Sequence, residues 1–112
     1  LQKALAGFTQ EVERFSVDIC HPAVEHEHLA SVAYYETRQP GLGTSYLTDF
    51  DITMRRVCEA PSSHPVELPP DVQRAQLRRF PYSILFREVE GTIHVLAVAH
   101  NGRRPEHWLG RI

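Results

Sequence analysis

The sequence LRRFPYSILFREVEGTIHVLAVAH, residues 77–100, predicts two adjacent β-strands joined by a tight turn. Gly91 lies between its two apolar halves, where a short hairpin needs a residue with positive φ. The half after Gly91 is apolar on both faces, which is typical of a strand in the middle of a sheet. We therefore expect strands at about residues 82–90 and 92–100, preceded by another at about residues 74–80.

The residues before this hairpin predict one strand and then two helices. Phe15, Val17 and Ile19 alternate with more polar neighbours, which indicates a short strand. Apolar residues then recur every three or four positions, so helices are expected at about residues 23–38 and 44–60. Because the break between them is short, the two helices should pair antiparallel.

Particular residues mark the ends and the buried faces of these helices. Pro22 suits the first turn of the first helix, and Thr44 or Ser45 can cap the second. The stripe expected to be buried on the first helix consists of Val24, Leu29, Val32, Ala33 and Tyr35 or Glu36, and that of the second consists of Leu47, Phe50, Met54 and Val57. The sheet residues expected beneath them are Ile84, Phe86, Val95 and Ala97.

A proline-rich segment separates the helices from the last strands. Its four prolines exclude regular structure over about residues 61–73. The order strand, helix, helix and three strands predicts the α+β fold class, with a helical hairpin packed on a small, mainly antiparallel sheet. We expect a single domain over residues 14–112, preceded by an N-terminal extension at residues 1–13.

The composition indicates a soluble globular protein. The chain has 112 residues, of which 42% are hydrophobic and 23% charged, values that argue against disordered and fibrous classes. With no run of 18 apolar residues and no basic-then-apolar leader, no contact with a membrane is expected. Cys20 and Cys58 are too few for a disulfide scaffold, so both thiols are expected in the core of a cytoplasmic protein.

The charge is unevenly distributed along the chain. The formal net charge is −2, yet residues 1–72 carry five Lys or Arg against eleven Asp or Glu, a sum of −6. Residues 73–112 carry seven Arg against three Glu, a sum of +4. A basic C-terminal third on an acidic remainder indicates either a localised anionic partner or a solvated arginine surface.

Several segments together resemble the RelE/ParE superfamily of bacterial toxins, over about residues 15–108. The segments that carry the resemblance are Ala33-Tyr34-Tyr35-Glu36, Pro40-Gly41-Leu42-Gly43, the stretch from Leu77 to Arg87, and the stretch from Ile93 to Pro105 with Trp108. The resemblance implies a helical hairpin on a small sheet. It also implies the toxin of a type II toxin–antitoxin pair of the plasmid-stabilisation type, which inhibits bacterial growth and forms a hetero-oligomer with a cognate antitoxin.

The family divides by target, and the resemblance leaves two activities open. ParE-like members act on DNA gyrase by contact, whereas RelE-like members enter the ribosome and cleave mRNA without a metal. A third reading is a non-toxic remnant that still binds its antitoxin. We favour the ParE-like reading, because the RelE-like catalytic set is incomplete here.

The RelE-like catalytic set is incomplete at three positions of this sequence. Gln76 stands where a lysine is expected in RelE-like enzymes, and Ser83 stands where they carry arginine. Trp108 falls near a catalytic tyrosine and has no ionisable proton. If the chain is a ribonuclease, the resemblance leaves His100 as the acid or base, with Arg103 or Arg104 on the phosphate. The residues expected to bind the antitoxin or the target are Arg74, Arg78, Arg79, Arg87 and Trp108.

A histidine cluster near residue 25 does not predict a metal site. His21, His26 and His28 alternate with Glu25 and Glu27. On a helix, however, His26 and His28 would be about 200° apart around the axis, too far to share one ion. We therefore expect neither a metal nor another cofactor.

Overall fold

The computed structural model describes residues 11–12, 15–19 and 22–102. Its helices are α1 (Pro22–Arg38) and α2 (Leu42–Glu59), followed by a 3-10 turn at Pro61–Ser63. Its strands are β1 (Glu11–Val12), β2 (Phe15–Ile19), β3 (Val66–Leu68), β4 (Val72–Gln76), β5 (Tyr82–Val89) and β6 (Thr92–His100). No helix in this part of the chain is long and apolar enough to cross a membrane.

The strands form one sheet with the spatial order β1-β2-β6-β5-β4-β3. Strands β3 to β6 are antiparallel neighbours, whereas β2 runs parallel to β6. The pair β1–β2 is antiparallel, so the sheet already begins within the segment that we expected to be an N-terminal extension. The predicted fold class is confirmed: two helices pack on a mainly antiparallel sheet.

The loop between the helices depends on Glu36 rather than on the predicted caps. The prediction that Thr44 or Ser45 caps the second helix was wrong, because α2 already begins at Leu42. Its N-cap residue is Gly41, which has no side chain to bond to the helix start. The Glu36 carboxylate instead accepts hydrogen bonds from Gly41 N and Gly43 N, both at 3.0 Å. It thereby satisfies backbone donors that a helix start leaves without partners.

The glycines of this loop are explained by geometry. Gly41 has a φ of 89°, which residues with a Cβ rarely adopt. At Gly43 a Cβ would lie 2.9 Å from Glu36 Oε1 and 3.0 Å from the backbone oxygen of Val32. The two helices can therefore approach this closely only with glycine at position 43.

The main core lies between the helices and one face of the sheet. As predicted, Phe50, Met54 and Val57 of α2 are buried, and Leu47 packs against them. The stripe predicted for α1 was wrong at Ala33, which is exposed, whereas the polar residues His28 and Ser31 are buried. Burying an apolar side chain of this size contributes roughly 1.5–3 kcal/mol.

A β-bulge changes which residues of β6 face the helices. Leu85 pairs with Ala97, yet the next residue of β5, Phe86, pairs with Val95, so Leu96 is the extra residue. Ile84, Phe86 and Val95 lie in the core beneath the helices, as predicted. The prediction for Ala97 was wrong, because the bulge turns this residue to the face of the sheet opposite the helices. We call this face the far face.

The strand predicted at residues 74–80 was wrong at both ends. β4 covers Val72–Gln76, and residues 77–81 form the β4–β5 loop. The exclusion of regular structure over residues 61–73 was also wrong. The segment holds the 3-10 turn and β3, and Gln73 Nε2 donates to the carbonyl oxygens of Pro61 and His64. At the other end of β5, the predicted turn is confirmed, with φ values of 51° at Glu90 and 82° at Gly91.

Candidate functional site

The predicted site residues fall in three separate places. Arg74 and Arg87 are on strands, on the far face of the sheet, while Arg78 and Arg79 lie in the β4–β5 loop. His100 ends β6 on the side of the helices. Arg103, Arg104 and Trp108 lie outside the described residues.

Arg74 is held by a polar network on the far face. Its Nε donates to Ser83 Oγ at 2.9 Å, and Ser83 Oγ donates to Asn101 Oδ1 at 2.6 Å. The guanidinium also donates to Gln76 Oε1 at 3.3 Å and lies 3.6 Å from Glu67 Oε1. Ser83, where RelE-like enzymes carry arginine, is therefore a buried connector that fixes a neighbouring arginine.

The side chain of Arg87 is likewise paired with a carboxylate. Its Nη2 lies 2.9 Å from Asp71 Oδ1, and its side chain is 25% exposed. Arg79 lies in the β4–β5 loop and Arg87 lies on β5, so the two arginines do not belong to one continuous strand.

The β4–β5 loop is anchored by a carboxylate from α2. Asp49, only 4% exposed, accepts hydrogen bonds from Arg78 N at 3.2 Å and from Arg79 N at 2.8 Å. The side chains of Arg78 and Arg79 are exposed, and neither takes part in an ion pair among the described residues. Sequence patterns could not reveal this anchor, because Asp49 is about 30 positions from its partners.

An open cleft of about 400 Å³ lies beside this loop. The residues that line it are Thr44, Ser45, Thr48, Asp49, Ile52, Arg78 and Arg79. Its volume is at the lower end of the range of roughly 300–1,000 Å³ that is usual for ligand pockets. It can therefore accommodate a few side chains rather than a large ligand.

His100 lies in a second open cleft, of about 670 Å³, between α1 and the end of β6. Its Nδ1 accepts a hydrogen bond from Gly102 N at 3.0 Å, so the neutral ring carries its proton on Nε2. The Tyr82 ring packs edge-on against it, with centroids 5.2 Å apart. His26 and Tyr34 also line this cleft, and our sequence analysis did not assign either of them to a functional site.

Two tyrosines that pack against Tyr82, namely Tyr35 and Tyr46, are poor acids. Burial and the neighbouring Tyr82 and Tyr34 raise the pKa of Tyr35 above its usual value. Burial raises the pKa of Tyr46, which lies in the core, even further. Near neutral pH these phenols therefore stay protonated and can donate hydrogen bonds but not act as bases.

His28 is a core residue rather than a site residue. It is fully buried, with its ring centroid 4.3 Å from that of Phe50 and 5.6 Å from that of Tyr46. Burial lowers its pKa from 6.5 to about 4, so the ring is neutral at pH 7. Across the described residues, no three His, Cys, Asp or Glu side chains come together as metal ligands would. Cys58 lies in the core, as predicted, and Cys20 lies outside the described residues.

His100 and Arg74 do not converge on one site. Tyr82 and His100 are paired residues on the helix side, whereas Ser83 and Ala99, one position along each strand, face the far side with Arg74. The sheet therefore separates His100 from Arg74, while Arg103 and Arg104, the arginines expected with His100 in a RelE-like reaction, lie outside the described residues. What the described residues do offer is arginine donors for carboxylates or phosphates.

Comparison with known proteins gives a fold relationship. No protein-family model matches the sequence, and a search of curated proteins found no match. One similar solved structure is described as the chromosomal ParDE TA system from P. aeruginosa. The similarity has a TM-score of 0.60 and 20% sequence identity, and covers 69% of this chain and 86% of that chain. At this identity it shows a common fold, and it agrees with the predicted helical hairpin packed on a mainly antiparallel sheet.

Proposed function

We propose that this chain is the toxin-like component of a type II toxin–antitoxin system. The observation that carries this proposal is the fold that it shares with a chain of a ParDE system over 86% of that chain. The implied partner is a cognate antitoxin, with which the chain forms a hetero-oligomer in the cytoplasm. Its action is inhibition of bacterial growth.

We further propose that it acts by contact with DNA gyrase, as ParE-like toxins do. The incomplete RelE-like set supports this choice, because Gln76 and Ser83 stand where lysine and arginine are expected, and Ser83 instead holds Arg74. The accessible arginines of the β4–β5 loop support a binding role. Arg74, Arg87 and Trp108 remain further candidates for contacts with the antitoxin or the target.

A second candidate function is ribosome-dependent mRNA cleavage of the RelE type. The observation that favours it is the cleft that holds His100, Tyr82, Tyr34 and His26, which brings groups capable of proton transfer and base stacking together. Arg103 and Arg104 follow His100 closely in sequence and are the candidates for the phosphate.

Pulsed expression of the chain in bacteria, with DNA and protein synthesis followed separately, tests the proposal. Gyrase inhibition should stop DNA synthesis first and induce the DNA-damage response and filamentation, whereas mRNA cleavage should stop translation first. His100→Ala should leave growth arrest largely intact, because loss of one acid or base lowers a catalysed rate by roughly 10²–10⁴ but does not affect contact at another surface. Normal growth during expression would favour the third reading, a non-toxic antitoxin-binding remnant.

A further inference from the structure

The cleft between α2 and the β4–β5 loop combines features that point to one class of ligand. Arg78 and Arg79 stand on one side and the α2 residues Thr44, Thr48 and Ile52 on the other. The cleft is on the helix side of the molecule, away from the polar network around Arg74. It is also distinct from the cleft that contains His100.

Hydrogen bonds to their backbone hold the two arginines in place, while their side chains stay available to a ligand. Each oxygen of Asp49 accepts one loop N–H, so this carboxylate holds the loop without pairing with a guanidinium. The ion pairs among the described residues involve Arg74 and Arg87 instead. Two guanidinium groups with available donors favour carboxylates, which they can bind in bidentate geometry.

The helix side of the cleft offers acceptors and an apolar contact. Thr48 Oγ1 donates to Thr44 O at 3.1 Å, and Ser45 Oγ donates to Gly41 O at 3.4 Å. Since these hydroxyl protons are used within the helix, the oxygens remain as acceptors for N–H groups of a ligand. Ile52 is 44% exposed and provides aliphatic surface next to them.

These features match a peptide better than a nucleic acid. Carboxylates fit the arginines, backbone N–H groups fit the hydroxyl oxygens, and an aliphatic side chain fits Ile52. None of the residues that line the cleft is aromatic, so it lacks the stacking surface on which single-stranded nucleic acids depend.

We propose that this cleft binds a short acidic peptide segment that carries an aliphatic side chain between or beside its carboxylates. If the proposed function holds, on which this assignment of the partner rests, the segment belongs to the antitoxin. The chain as a whole carries a net charge of −2, so attraction of an acidic segment is local to this cleft.

Selection of random dodecapeptides displayed on phage against the purified full chain tests this inference. The enriched peptides should contain Asp or Glu together with Leu, Ile or Val. A synthetic peptide with the enriched sequence should shift the backbone amide NMR signals of Thr48, Ile52 and Arg79, and its affinity should fall as salt is added.

Two double variants with equal charge change separate the cleft from general electrostatics. Arg78→Glu with Arg79→Glu should weaken binding of the synthetic peptide at least tenfold. Arg38→Glu with Arg55→Glu, at exposed positions that do not line the cleft, should change it less than about threefold. Comparison of amide spectra of both variants with the parent shows whether each is folded.

Several results would overturn the inference. These are no enrichment over the unselected library, enrichment of peptides without acidic residues, equal weakening by the two double variants, and amide shifts confined to another surface. Stronger displacement of the peptide by a single-stranded RNA oligonucleotide than by unlabelled peptide would assign the cleft to nucleic acid. None of these readouts requires growth arrest, so a failed toxin proposal and a failed cleft can be told apart.

Discussion

The arginines of the far face and those of the β4–β5 loop serve different purposes. Arg74 and Arg87 each have an acidic side chain within 3.6 Å and 2.9 Å, respectively, and both are partly covered. Arg78 and Arg79 are exposed, and Asp49 holds their backbone instead of their side chains. Arginines of equal formal charge can thus either hold the sheet together or bind a partner, and the difference lies in which atoms the nearby carboxylate contacts.

The largest effect is expected from breaking the anchor of the loop. Asp49→Ala leaves two partly buried N–H groups without their acceptor, at about 1–3 kcal/mol each, so the free energy of unfolding should fall by about 2–6 kcal/mol. Peptide binding at the cleft should be lost as well. Urea denaturation measures the stability, with the exposed Asp51→Ala as control, expected within about 0.5 kcal/mol of the parent.

An unchanged denaturation midpoint in Asp49→Ala would contradict the anchoring role. The distinction between the two pairs of arginines would then lose its structural basis, because the loop would hold Arg78 and Arg79 without the carboxylate.

Acidification should destabilise the fold although every arginine keeps its charge. Burial lowers the pKa of His28 from 6.5 to about 4, so between these values the unfolded chain binds more protons than the folded chain. The free energy of unfolding should therefore fall as the pH drops from about 6.5, by about 3 kcal/mol at pH 4 from this residue alone. Above about pH 7.5, where the imidazole is neutral in both states, it should contribute no pH dependence.

Denaturation of the parent and of His28→Leu at several pH values measures this contribution. The fall in stability between pH 6.5 and 4 should be smaller in the variant by about the stated amount. His100→Ala, which changes an exposed histidine, should keep the fall seen in the parent. Equal slopes in the parent and in His28→Leu would show that the buried imidazole does not control this range.

A smaller effect should separate the engaged arginines from the available ones. Ser83→Ala removes the hydroxyl between Arg74 and Asn101 and should cost about 1 kcal/mol. Arg78→Ala should change stability by less than about 0.5 kcal/mol, because no ion pair among the described residues is lost. The same urea titration measures both, and a larger loss in Arg78→Ala than in Ser83→Ala would reverse the comparison.

The sequence predicted the parts of the fold that depend on local patterns. The two helices, the positive φ at Gly91 and the buried side of α2 follow from spacing and from single-residue geometry. The stripe of α1 was misjudged at Ala33, because the buried His28 interrupts it with a polar residue that a hydrophobic pattern does not count.

The errors share a physical origin in contacts between distant residues. The side of Ala97 depends on a bulge opposite β5, and β3 forms within the proline-rich segment because it lies at the edge of the sheet, next to β4. The cap from Glu36 and the anchor from Asp49 join residues that no periodicity relates. The exposed His100 was correctly placed at the end of the last strand, but its separation from Arg74 depends on the pairing of β5 with β6.

Supercoiling of DNA by purified gyrase in the presence of the purified chain tests the central claim most directly. We expect the chain to inhibit supercoiling and His100→Ala to inhibit it equally, because contact with gyrase does not require an acid or base in the cleft of His100. Undisturbed supercoiling, together with ribosome-dependent cleavage of mRNA that His100→Ala abolishes, would contradict the claim.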